Sequence, residues 1–273
     1  MKLSCASLFL WDYSVPEIME ILLEAGIESV EFWAETPDFW NKRNSEKAMI
    51  TLVDAISTMP GGCNLHVPIL DLNPSSYNDL VHEATVIETL WSLDLAKRIG
   101  AKVVTIHAGK RTVHRTPTNE DREKFRKYLM KSLEKAYSLD LSIALENSMP
   151  EISNMCSGPD ELKEIFEEFP ALYFTFDVVH ATIASPLVAM SFIEELCDKI
   201  INVHVGAPHN GKPHFASHRN RNMGTVLKAL RDSGYDGNLT IEIDDKTYSR
   251  KLSRKDKVQE LIRERKYLES IFE

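Results

Sequence analysis

Eight short apolar runs alternate with longer segments of helical period, no linker interrupts the alternation, and histidines and carboxylates recur at the ends of successive runs. Together these observations predict an α/β fold, a single (β/α)8 TIM barrel spanning residues 1–273. The predicted strands are 2–7, 27–33, 63–67, 102–107, 141–146, 171–177, 200–205 and 238–243. The first helix opens on Ser14-x-x-Glu17, a capping box ahead of Ile18, Ile21 and Leu22, and closes at Gly26. The same helix-Gly-strand punctuation returns at Gly100, after a long helix begun near Asn78, and at Gly234, after one begun near Thr225. An open doubly wound sheet is the rival architecture. It lacks support, because no GxGxxG follows a strand and no GxxxxGK[ST] is present.

A chain of 273 residues could hold two small domains, but no composition break or low-complexity block divides this one. The 32 Lys and Arg against 41 Asp and Glu leave a formal charge of −9, which weighs against a protein that coats nucleic acid or an anionic membrane. A local basic groove stays compatible with that charge. Cys5, Cys63, Cys156 and Cys197 are scattered and form no CxxC, as expected of reduced thiols in a cytoplasmic protein. The segment MKLSCASLFLWDYS reads as the first strand and not as a targeting peptide, because Asp12 interrupts its apolar run. No uncharged apolar stretch approaches the roughly 18 residues of a membrane span.

His66, His107 and His204 end strands three, four and seven, and Glu146, Asp177 and Glu242 end strands five, six and eight. Taken singly, each is most simply a hydrogen-bonded structural residue. Their recurrence about every 35 residues changes that reading, since six consecutive strands then deliver a His or a carboxylate to one face, the face on which barrels build active sites. Three carboxylates set among Leu145, Phe174, Phe176, Ile241 and Ile243 would repel one another without a counter-cation. Mixed imidazole and carboxylate donors suit Zn²⁺ or Mn²⁺ better than Ca²⁺. A divalent metal site is the expectation.

The ordered set NLHVP, TIHAG, ALENS, FTFDVVH, NVHVG and TIEID resembles the xylose-isomerase-like TIM-barrel superfamily, which holds sugar isomerases, sugar epimerases and the apurinic-site endonuclease IV group. The resemblance implies that Glu146, Asp177, His204 and Glu242 form a metal site, and that His66 and His107 form a second one bridged by Glu146. It matches His180 to a histidine that follows strand six. Residues 214–224 resemble the loop that carries Asp-x-His in endonuclease IV, with Ala216 at the Asp position. A third metal on His180 and His218 would then lack its anionic ligand, so one or two sites are expected, with His209 or His214 as substitute ligands.

For an isomerase or epimerase, the metal would polarise the carbonyl of a small sugar or sugar phosphate, Glu146 and Glu242 would move protons through an enediolate, and His180 would orient a hydroxyl. Trp33, in the aromatic run Phe32-Trp33 to Phe39-Trp40 near Glu35, would pack on the sugar ring. Lys110 and Arg219 would contact the substrate, within a set of cations that includes Arg111, Arg115 and Arg221. The runner-up is an apurinic-site endonuclease, in which Glu146 bridges two metals; nucleic acid is disfavoured as a partner by the net charge. A third reading is a barrel that binds metal and ligand without turnover, for example as a partner subunit. Residues 246–266, rich in Lys and Arg but with Val258, Leu261 and Ile262 at helical spacing, read as the outer face of the last helix. An oligomer is compatible with all three readings.

Overall fold

The computed structural model describes residues 1–220 and 222–273. Ten strands are present: β1 (Lys2–Ala6), β2 (Ser29–Trp33), β3 (Cys63–His66), β4 (Val103–His107), β5 (Ser142–Glu146), β6 (Tyr173–Asp177), β7 (Ile200–Val205), β8 (Ala207–His209), β9 (Lys212–Phe215) and β10 (Asn238–Ile241). All except β8 and β9 close a parallel barrel in the order β1-β10-β7-β6-β5-β4-β3-β2. The helices are α1 (Val15–Glu24), α2 (Pro37–Trp40), α3 (Glu46–Ser57), α4 (Asp79–Ile99), α5 (Asn119–Leu139), α6 (Pro159–Glu168), α7 (Val178–Ala184), α8 (Pro186–Leu196), α9 (Met223–Asp232) and α10 (Arg254–Phe272). Among the described residues no helix is long and apolar enough to cross a membrane.

The punctuation read from sequence has its expected geometry. The Ser14 backbone N–H and hydroxyl both donate to Glu17 Oε2, at 3.0 and 2.6 Å, ahead of α1. Gly100 ends α4 at φ +74°, a left-handed conformation that a side chain disfavours. The eight barrel strands fall within the predicted segments, the last being two residues shorter than expected. The antiparallel pair β8–β9 was not expected. It turns at Asn210-Gly211, with φ of +51° and +74°, a tight-hairpin signature that the sequence carries in plain view.

Alternation along the strands separates two environments. Phe32, Leu65, Val104, Ile106, Phe174 and Phe176 are buried in the apolar core. The barrel interior beneath the strand ends is polar: Glu31, Thr105, Thr175, Asn202 and Thr240 are fully buried there and hydrogen-bond one another across the lumen. The last helix differs from the amphipathic reading. Its buried face includes Lys257, Glu260 and Glu264 beside Val258 and Leu261, and the Lys257 ammonium donates to Phe9 O and Asp245 Oδ2, both at 2.7 Å. A charged face is tolerated because each group meets a partner. The four cysteines are free thiols.

Candidate metal centre

Parallel register sets the strand ends at one level. His107 pairs with Glu146, Asp177 with His204 and Trp33 with His66, while the N–H of Glu242, just past β10, donates to Val205 O at 2.8 Å. Glu146, Asp177, His204 and Glu242 are all buried and each brings a donor atom within 4.8 Å of the others. His204 Nδ1 lies 2.8 Å from Glu242 Oε2 and 3.3 Å from Glu146 Oε2. Glu146 Oε2, Asp177 Oδ2, Glu242 Oε2, His204 Nδ1 and His214 Nδ1 are buried without a hydrogen-bond partner in the protein. Buried polar atoms seldom stay unpaired, so four such atoms in the central set, with His214 Nδ1 about 4 Å to one side, fit a site built for a cation.

Two further donor sets adjoin this one. His66 Nε2 and His107 Nε2 face each other at 2.9 Å, and Glu146 Oε2 lies 3.6 and 3.2 Å from them. On the other side stand Asp177, His180 and His214, with His214 Nδ1 4.0 Å from Asp177 Oδ2 and 3.9 Å from Glu242 Oε2. Neighbours fix the ring orientations. His204 Nε2 hydrogen-bonds Glu31 Oε1 at 2.8 Å, which leaves Nδ1 as the donor atom of the ring. His66 Nδ1 bonds Val67 O at 2.8 Å and so turns Nε2 toward His107 and Glu146. Asn147 clamps β6: its Oδ1 accepts from the Asp177 N–H at 2.7 Å, its Nδ2 donates to Asp177 O at 3.0 Å, and its own carbonyl holds His180 Nδ1 at 2.9 Å. Asp177 Oδ1 caps α7 through the His180 N–H.

The electrostatics follow from these contacts. Burial opposes ionisation of Glu146, yet the His107 and His204 imidazoles hold its carboxyl well below the usual range. Burial is likewise overcome at Glu242, where His204 and His214 bring the carboxyl to about 2. Asp177 is raised, because its burial outweighs the pull of His180 and His214. Burial disfavours the His180 cation, but Asp177 and Glu146 lift it to about 10, and Glu31, Glu242 and Glu146 lift His204 well above its ordinary value. These contacts favour ionised Glu146 and Glu242 and protonated His180 and His204, so a divalent ion that bound here would take the place of those protons.

Residues 19–270 match the family described as the xylose isomerase-like TIM barrel. The chain belongs to that family. It is 36% identical over 274 residues to the uncharacterized protein MJ1188 of Methanocaldococcus jannaschii, covering 99% of each chain. Among solved structures it is similar to a D-tagatose 3-epimerase-like protein, at 26% identity and a TM-score of 0.77 over 99% of this chain and 98% of that one. It also shares its fold with a putative xylose isomerase from Rhodospirillum rubrum, at 14% identity and a TM-score of 0.82 over 99% of both chains. The structural neighbours of this family member thus include sugar epimerases and isomerases.

Within this xylose isomerase-like barrel, the structure brings Glu146, Asp177, His204, Glu242, His66, His107 and His180 together. His218 is placed elsewhere. Its Nδ1 bonds Glu264 Oε2 at 2.7 Å on α10, and His214, four residues earlier, takes the position beside Asp177 and His180. Arg219 is likewise not free at the mouth, because Glu260 grips its Nε and Nη2 at 2.5 and 2.7 Å. Arg111 pairs with Asp121 at 3.0 Å, and Arg221 lies outside the described residues. Trp33 does not offer a face to a ligand: buried, it stacks on His66 at 4.0 Å and 11° and so holds that ring. Phe39 and Trp40 pack against Trp91 of α4.

Lys110 does line the cavity that opens beside the centre, about 290 Å³ between His107, His180, Ile69, Asn73 and Ser148. Glu35 shapes one wall by accepting the backbone N–H groups of Ile69 and Leu70 at 2.8 and 3.0 Å. Glu31 and Asn147 were not singled out as site residues, whereas His214 was named with His209 as a substitute ligand; the Asn-Gly turn was the local signal for the hairpin that carries His214.

Proposed function

We propose that this protein is a divalent-metal-dependent isomerase or epimerase of a small sugar, working through an enediolate. The observation that carries the reading is the buried set Glu146, Asp177, His204 and Glu242 with its unpaired oxygens and nitrogen beside a sugar-sized cavity. Its likeness to a D-tagatose 3-epimerase-like protein over nearly the whole chain supports it. Zn²⁺ or Mn²⁺ suits these mixed donors, and it would supply Lewis acidity toward a substrate carbonyl and the neighbouring hydroxyl oxygen.

The protein's own groups do the proton work. Glu146 and Glu242 arrive from β5 and from just beyond β10, so they approach a bound sugar from different sides of the barrel mouth. One carboxylate takes the proton from the carbon next to the carbonyl. The other returns a proton to the opposite face in an epimerisation, or to the adjacent carbon in an isomerisation. His180, held by Asn147 O, orients a substrate hydroxyl. The test is deuterium incorporation from D₂O into a panel of ketoses and aldoses by metal-loaded protein. Exchange at the carbon next to the carbonyl, lost in Glu242→Gln, is expected; silence across the panel would overturn the reading.

A second reading, phosphodiester hydrolysis at an abasic site, is favoured by one specific observation: the His66, His107 and Glu146 set and the Asp177, His180 and His214 set both adjoin the central one. Two ions around a shared carboxylate can activate water and stabilise a leaving oxygen. Metal-dependent nicking of an abasic-site duplex, lost in Glu146→Gln, would put this reading first.

A further inference from the structure

The cations expected at the barrel mouth divide into two kinds. Arg219 and Arg111 are each held by a carboxylate, Glu260 and Asp121. Among the described residues no carboxylate lies within ion-pair reach of the Lys110 ammonium, and none of the residues lining its cavity is acidic. A cation facing a cavity without a counter-ion, next to the centre where a substrate would react, is the arrangement that admits an anionic substituent.

The backbone that carries Lys110 is unusually constrained. Asn73 Oδ1 accepts from the Lys110 N–H at 3.0 Å while Asn73 Nδ2 donates to Lys110 O at 2.7 Å, so one amide group closes both main-chain groups of the lysine. Asn73 is itself held by Thr85 Oγ1, which accepts from its backbone N–H at 2.9 Å. Lys110 also pairs with Asn154 across an isolated bridge, tying the loop after β4 to the loop after β5. Gly109, at φ +78°, lets this happen: a Cβ there would sit 2.4 Å from Asn73 Oδ1. Three loops are thus fastened together at the backbone of Lys110, which lines the cavity and has no ion-pair partner among the described residues.

We infer that this cavity takes a small sugar bearing an anionic group, a phosphate ester or a carboxylate, and that Lys110 is the residue that selects it. The inference rests on the sugar isomerase reading for the position of the reacting carbons but not for the anion contact. The cavity volume, about 290 Å³, fits one sugar unit.

The experiment measures calorimetric binding to metal-loaded protein of a free ketohexose, the same ketohexose phosphate, a hexuronate and a short abasic duplex, in the wild type, Lys110→Gln and Lys110→Arg. Lys110 is exposed, so the substitutions spare the core. At least one anionic sugar is expected to bind about tenfold or more tightly than the neutral one. That preference should vanish in Lys110→Gln and return largely in Lys110→Arg. The phosphate and hexuronate arms identify the anion. Equal binding of neutral and anionic sugars, or a preference that survives Lys110→Gln, would overturn the inference, as would tighter Lys110-dependent binding of the duplex. Lys110-dependent anion binding without deuterium exchange into any sugar would sustain the inference while refuting the isomerase reading.

Discussion

Two regions bring histidines to the same centre by different means. At the ends of β3, β4 and β7, the period-two alternation of a strand and the ladder to its neighbours set where His66, His107 and His204 stand. In the β8–β9 excursion no barrel strand does this. His214 sits at φ +61°, in backbone space that a histidine seldom occupies, with its carbonyl accepting from the Asp244 N–H at 2.8 Å. The segment that follows is fastened from a distance: Glu264 on α10 accepts from the Ser217 N–H at 2.9 Å, the His218 N–H at 3.0 Å and His218 Nδ1. The strand-end residues are fixed by the barrel itself. His214 rests on the hairpin and its contact with Asp244, and the segment after it rests on Glu264 of the last helix, so the two halves of the candidate centre should fail separately.

The largest expected effect comes from Glu146, the carboxylate shared by the His66–His107 set and the central set. Glu146→Gln removes the charged oxygen that faces His66, His107 and His204, and turnover should fall on the order of 10³-fold with loss of bound metal, measured by steady-state kinetics and elemental analysis. Next, Glu31→Gln leaves every direct ligand in place but removes the carboxylate that orients His204. Metal affinity should weaken by about 10- to 100-fold in a competition titration.

Smaller effects sharpen the contrast. Glu264→Ala strips the acceptor from two backbone N–H groups and should cost about 2–4 kcal/mol in denaturant unfolding. It should weaken metal binding less than Glu31→Gln does. His214→Ala should lower metal affinity measurably, whereas His218→Ala should leave it as in the wild type. Equal effects of the two histidine substitutions would refute the placement of the hairpin.

The pH dependence has a definite sign. Glu242 titrates at about 2 in the folded metal-free protein, below the roughly 4.3 of an unfolded glutamate. Its contribution to stability is therefore present above that higher value and lost as the pH falls toward 2, so melting of the metal-free protein should drop between pH 5 and pH 2. His180, raised to about 10, must give up its proton to serve as a ligand. The thermal shift produced by added metal should accordingly grow as the pH is raised from about 6 to 9, by about 1.4 kcal/mol per pH unit for each proton displaced.

The barrel was legible because β-branched runs, helix caps and glycine stops agree with one another at about 35-residue spacing. The strand-end residues of the candidate centre were legible for the same reason: a histidine or carboxylate closing an apolar run has only one face to reach. Glu31 was not, because in sequence it is one charge inside strand two, and it meets His204 173 residues away only when the barrel closes. His218 and Arg219 were misplaced because their carboxylate partners lie 46 and 41 residues further on in α10, a helix read from its spacing as an amphipathic cover. Ala216 argued against a third set on His180 and His218; the set present instead joins His180 to Asp177 and His214. The Asn-Gly turn that moves His214 into it is a local signal, but its consequence is tertiary.

Retention of metal tests the central claim most directly. Protein purified without chelator and dialysed against a metal-buffered solution of Mn²⁺ or Zn²⁺ should hold at least one ion per chain. The Asp177→Asn, Glu242→Gln double variant, with its fold verified by circular dichroism, should hold none at the central set. A wild type that retains no ion, or a double variant that retains as much as the wild type, would contradict the account.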